Sequence, residues 1–255
     1  MMRDLLIRGM LVGILAGLLS FGFLKIYGEP QVDRAIAFET QMDEAKAKAE
    51  MAKGMPMPAE EPELVSREMQ STWGLLTGVM FYNAAFGALF SLAFAFAYGR
   101  LDGTGSPRAV AALVALTGFV AIYLVPNLKY PANPPSVGNP DTIGSRTALY
   151  FLMIVISLGT MVVAARMRPS LAKSWGRWNA TLIVAASYLV VMAVVGLLMP
   201  VINEVPEGFP AVVLWKFRVA SMGAQIIMWA TLGIVFGAFA QRLMLTGTRR
   251  LAAAL

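Results

Sequence analysis

Six apolar blocks divide the chain, at roughly 5–27, 72–99, 108–126, 146–166, 178–202 and 212–243, and short polar stretches separate them. Wound as a helix at about 1.5 Å per residue, each is long enough to cross about 30 Å of hydrocarbon. The blocks lack strand-like alternation, so the pattern predicts an all-α integral membrane protein with six transmembrane helices in a single membrane domain, 1–255. No small-residue cleavage site follows the first block. Instead comes "KIYGEP", so it is read as a retained span and not a signal peptide. Along it Gly9, Gly13 and Gly17 recur every fourth residue, a spacing that permits close helix packing.

The polar stretches then set the orientation. Eleven basic residues fall on one side: Arg3, Arg8, Arg100, Arg108, Arg166, Arg168, Lys173, Arg177, Arg242, Arg249 and Arg250. The other side has Lys129 in its short loops and Arg146, Lys216 and Arg218 at helix entrances. Lysine and arginine mark cytoplasmic loops, which places both termini in the cytoplasm.

The long extracytoplasmic loop, 28–70, carries ten of the fifteen acidic residues against five basic ones. Its first part, "PQVDRAIAFETQMDEAKAKAEMAK", has a helical composition, with Val32, Ile36 and Phe38 among charges, and suits an amphipathic surface helix or a solvated segment. "GMPMPAEEPE" is a proline-broken linker. Each outward span ends at proline with polar neighbours ("YGEP", "LVPNLKYP", "LMPVINEVP"), and two returning spans open on arginine ("GSRTALYF", "KFRVASMG"). That likeness fits an internal repeat of helical hairpins, common in transporters, and equally fits ordinary helix termination.

Composition narrows the chemistry. The chain is 58% hydrophobic and 14% charged, with no cysteine and no histidine. Disulfides, thiolate and imidazole metal sites, and cysteine or histidine catalysis are therefore excluded. No phosphate-binding loop or zinc-protease signature occurs, so no enzyme is expected.

Candidate metal-contacting residues cluster at the outer span ends. Glu204 and Glu29 supply carboxylates, with Asn203 and Asn127 as further oxygen donors and Asp141 and Glu207 near them; such a ring would attract cations. Asp141 and Glu207 equally suit groups that only face water. Arg146 and Arg218 enter returning helices near their positive dipole ends, which calls for anionic partners: Glu204 for Arg218, and Glu29 or Glu204 for Arg146. Such pairs either hold structure or act as a gate. Asn83 and Gln225 lie within spans and could line a pathway or link helices, as could Asn179. Met51, Met55 and Met57 form a thioether-rich cluster with Cu(I)-binding chemistry, though methionine is also ordinary apolar filling.

Longer strings carry a resemblance. "YGEPQVDRAIAFE", "EPELVSR", "FGALFSLAFAFAYGR", "GFVAIYLVPNLKYPANPP", "GNPDTIGSRTALYF" and "NEVPEGFPAVVLWKFRVASMGAQ" resemble the CbtA family of predicted bacterial cobalt transporter subunits. The resemblance covers nearly the whole chain. It implies cobalt uptake across the plasma (inner) membrane, with Co²⁺ as substrate and a small single-span CbtB-like subunit as partner. Many members have a histidine-rich run between spans one and two, where this chain has "AKAKAEMAKGMPMPAEEPE". Any cobalt site here would use oxygen donors or borrow nitrogen from a partner chain. A metal-ion transporter subunit is the first expectation, and a non-transporting membrane scaffold or accessory subunit is the second. No nucleic-acid partner is expected, and homo-oligomers are compatible with the pattern.

Overall fold

The computed structural model describes residues 2–54, 64–100 and 105–252, with side chains as far as Leu245. Every regular element among them is helical. They are α1 (Met2–Tyr27), α2 (Glu29–Ala52), α3 (Arg67–Ala97), α4 (Pro107–Lys129), α5 (residues 143–175), α6 (residues 177–198) and α7 (residues 211–252, its apolar part Ala211–Leu245). Starts are set by local chemistry. Ser66 and Ser106 cap α3 and α4 by accepting the amides of Met69 and Ala109, and Pro107 occupies a first-turn position that needs no N–H.

Five helices among the described residues are long and apolar enough to cross a membrane, with residues 140–198 counted as one. That segment is folded back on itself. At Gly176 the backbone takes φ 77° and ψ 159°, a left-sided conformation open chiefly to glycine. The Ser157 and Tyr188 hydroxyls lie 2.7 Å apart, although 31 residues of straight helix would separate them by about 46 Å. Residues 143–175 and 177–198 therefore form an antiparallel hairpin, seamed by Met153, Tyr188 and Met192. Arg168 Nε donates to Thr181 near its turn.

Several helices run further than the hydropathy pattern implies: α3 starts at Arg67 and α5 continues to residue 175. Polar residues extend these helices by backbone hydrogen bonding alone, and hydropathy marks only the apolar stretch within them. In the first loop, α2 is helical over Glu29–Ala52, with Val32, Ile36 and Phe38 half-buried. Its first half packs Ala35 and Phe38 against Val137, Phe209 and Val213, while its second half is largely exposed. The linker methionines Met55 and Met57 lie outside the described residues. Met51 is exposed at the end of α2.

The packing centre is formed by α1, α3, α4 and α7. Leu5, Val12, Phe90, Phe94, Val110, Trp229, Leu232 and Phe236 form one buried cluster. In lipid, apolar contact with a neighbouring helix gains little over contact with acyl chains, so close approach matters most. Gly9 and Gly13 supply it. A Cβ on Gly13 would stand 2.2 Å from the Asn83 carbonyl oxygen, and one on Gly87 would stand 2.1 Å from the Gly9 carbonyl. The α5–α6 hairpin sits at the periphery. Only 11% of its most apolar window is buried, against 39% for α1, and Val155, Leu189 and Leu197 point outward.

Candidate functional site: a polar cavity where α4, α5 and α7 meet

The ends of α4 and α6 and the starts of α5 and α7 converge on the loops 130–142 and 199–210. Pro126, near the end of α4, has no N–H to give. Just ahead of it the helix widens into a π turn, Phe119–Leu124, in which the Val125 amide reaches back to Val120. That turn carries Tyr123, whose hydroxyl lies 3.0 Å from that of Ser221 on α7. Beyond it, Asn127 Oδ1 accepts the Ala132 amide, and the Tyr130 hydroxyl donates to the Pro200 carbonyl, tying the two loops together.

Between these elements lies a cavity of about 480 Å³. Arg146, Arg218 and Glu204 line it, together with Asn127, Asn133 and Asn203. The Tyr123–Ser221 pair also lies on its wall. Ser221 is ten residues into α7, roughly 15 Å below that helix's start, and so marks the deep end.

Glu204 is fully engaged. One carboxylate oxygen accepts the Asn139 amide at 2.7 Å, and the other accepts the Thr142 hydroxyl at 2.7 Å. Arg146 Nε stands 3.3 Å from Glu204 Oε2, an ion pair whose N–H is not aligned as a hydrogen bond. Arg146 also donates from Nη2 to the Asn139 carbonyl. Its guanidinium lies against Gly138, where a Cβ would come within 2.2 Å of Nη1. The Asn139 amide, then the Thr142 hydroxyl, hold the Glu204 carboxyl below its ordinary value; Arg146 adds to the shift and partial burial opposes it.

Arg218 does not meet Glu204. Its Nε donates to the Ala132 carbonyl at 3.3 Å and one Nη to Asn133 Oδ1 at 2.9 Å, and among the described residues it has no carboxylate partner. The guanidinium points up into the 130–137 loop, whose carbonyl and amide oxygens are closer than the carboxylate across the cavity.

Glu29 is elsewhere. Buried at the start of α2, it pairs with Arg67 at the start of α3, and Asp33 joins the same guanidinium at 2.9 Å. This arginine outcompetes Arg146 because α2 turns back directly after α1 and lies beside the α3 start. The four candidate oxygen donors therefore do not form one ring. Asn127, Asn203 and Glu204 share the cavity, whereas Glu29 belongs to the α2–α3 junction. Asp141 and Glu207 are exposed. Among the described residues no group of three or more acidic side chains is placed to hold a metal ion.

The intramembrane candidates separate as well. Asn83 is buried in the glycine-lined α1–α3 contact, where Nδ2 donates to the Val79 carbonyl and Oδ1 has no partner. It faces the packed α1–α3 contact. Gln225 Nε2 reaches the Tyr82 hydroxyl at 3.4 Å, a link between α7 and α3. Asn179 is exposed. The sequence reading missed Asn139, Thr142, Asn133 and Arg67, which decide how the charged groups pair. Asn139 and Thr142 sit in "GNPDTIG", whose Asn-Pro signals a turn with free amides.

A family model described as "Probable cobalt transporter subunit (CbtA)" matches residues 2–241, nearly the whole chain. No curated protein and no solved structure matches it.

Proposed function

The chain belongs to the CbtA family of probable cobalt transporter subunits, and from that premise we propose that it takes up cobalt, or a similar divalent metal, across a bacterial inner membrane. The observation that carries this reading is the polar, charged cavity where α4, α5 and α7 meet, with the paired Tyr123 and Ser221 hydroxyls on its wall. Such a chamber gives a solute a place to leave bulk water.

Counting the α5–α6 hairpin as two crossings makes six, so both termini share one side. The weight of basic residues at the ends and in the loops near residues 100–108 and 166–177 assigns that side to the cytoplasm. The cavity then opens outward and is the entrance. Glu204, with both oxygens occupied, is read as the staple that holds the 139–142 turn to the 199–210 loop, not as a free ligand for the cation. Lacking histidine and a multi-carboxylate cluster among the described residues, the chain would work with a small single-span CbtB-like partner that adds nitrogen donors.

The second reading, a scaffold without transport, is favoured by one observation: Asn83 is buried in a close-packed helix contact. Asn203 distinguishes the two, being both exposed and part of the cavity wall. In cells that express Asn203→Cys with the partner, a membrane-impermeant thiol reagent should slow cobalt uptake, because its adduct fills the entrance. Undiminished uptake after complete labelling would take the cavity off the route and leave the scaffold reading.

A further inference from the structure

The charges around the cavity do not balance. Arg146 is matched by Glu204, and that carboxylate is also saturated by Asn139 and Thr142. Arg218 remains, a guanidinium whose partners among the described residues are the neutral oxygens of Ala132 and Asn133. Two of its five N–H groups are used, which leaves donors for a ligand. The charged side chains that line the cavity are Arg146, Arg218 and Glu204, so the lining carries one net positive charge. A lining of that sign favours an anion, or a metal carried in an anionic chelate, over a bare divalent cation.

We propose that this cavity is a binding site for a small organic anion bearing carboxylates, with Arg218 as the group that holds it. A guanidinium offers parallel N–H donors that match a carboxylate's two oxygens, and the hydrogen bonds to Ala132 and Asn133 fix its orientation. The volume of about 480 Å³ lies within the usual range for small-molecule sites, about 300–1,000 Å³, and exceeds what an inorganic ion fills. Val137, Ile143 and Ile202 give apolar wall for a carbon skeleton, and Asn127 and the tyrosine hydroxyls give polar contacts for its other groups. Anion binding stands apart from the cobalt-uptake reading. It meets that reading only if the anion arrives with a metal already chelated.

The test uses purified full-length protein in detergent and three probes: citrate, cobalt citrate and cobalt chloride. Thermal stability and calorimetric affinity are read at constant ionic strength. Citrate, free or cobalt-loaded, should stabilise the wild type and bind at least tenfold more weakly to Arg218→Gln. If that variant fails to fold, Arg218→Lys keeps the charge but loses the paired donors, and the same weakening is expected in it. Tighter binding of cobalt citrate identifies the chelate as ligand, and equal binding identifies the free acid; either supports the site. The proposal is overturned if citrate neither binds nor stabilises, or if Arg218→Gln or Arg218→Lys binds citrate as the wild type does. An equal effect from inorganic phosphate, or from cobalt chloride alone with Arg218→Gln binding it more tightly, also overturns it.

Discussion

Gly138 should prove indispensable to the Arg146–Glu204 pair, and the reason is geometric. It lies in the loop between α4 and α5 at φ +127°, and a methyl group added there would come within 2.2 Å of Arg146 Nη1 and 2.8 Å of Cζ. Restoring an ordinary contact of 3.4 Å would push the guanidinium back by about 1.2 Å. Its Nε would then move from 3.3 Å to as much as about 4.5 Å from Glu204, beyond ion-pair range. The backbone adds its own penalty, since a side chain at this φ costs about 1–3 kcal/mol. At about 2–4 °C per kcal/mol for a chain near this size, the backbone penalty alone should lower the Gly138→Ala melting temperature by about 2–12 °C in detergent, and the displaced guanidinium should lower it further. The steric part can be isolated by repeating the substitution on an Arg146→Ala background, where only the backbone penalty is left. The two changes should then couple by about 0.5–3 kcal/mol. Strict additivity would show that Gly138 and Arg146 do not press on each other, and would refute the argument.

Two further outcomes follow from the same end of the bundle. Glu204 has a folded-state pKa below its ordinary 4.5, so the stability it contributes is present above that value and is lost as pH falls through the lower, folded one. Melting temperatures measured between about pH 6 and pH 3 should therefore fall more steeply for the wild type than for Glu204→Gln, and parallel curves would contradict the assignment. For topology, a cysteine at the exposed Asn139 should react with an impermeant reagent in intact cells, while one at the exposed Ser174 should not. Reaction at Ser174 from outside would break the six-crossing arrangement.

How much of this was written in the chain can be judged residue by residue. Apolar runs long enough to span hydrocarbon located α1, α3, α4, α5, α6 and α7, because in lipid a backbone has few choices besides helix. The reversal at Gly176 was visible too, as a basic stretch interrupting apolar sequence. Pairing at the helix ends was only half legible. That Arg146 and Arg218 need oxygen partners follows from their place near the membrane, but which oxygens they find depends on loops of a few residues. Glu204 and Arg146 sit at facing ends of one hairpin, α5 with α6, and the short connection brings them together. Arg218 bends toward Asn133 because the 130–137 loop folds over the start of α7, which no periodicity announces. Glu29 went to Arg67 for a similar reason: the turn at Gly28 sets α2 beside the start of α3. Asn83 shows the opposite limit. A polar residue in a span looks like a pathway until Gly9, Gly13 and Gly87 are seen to bring two backbones into contact around it.

Cobalt uptake in cells is the decisive measurement of whether this chain transports metal. Cells that lack other cobalt importers, expressing this chain with a small single-span CbtB-type partner, are given radioactive cobalt at low concentration, and accumulation is compared with cells that express the partner alone. Accumulation should rise with this chain present at matched abundance of the partner. Equal accumulation with and without the chain, with the protein folded in the membrane, would contradict it.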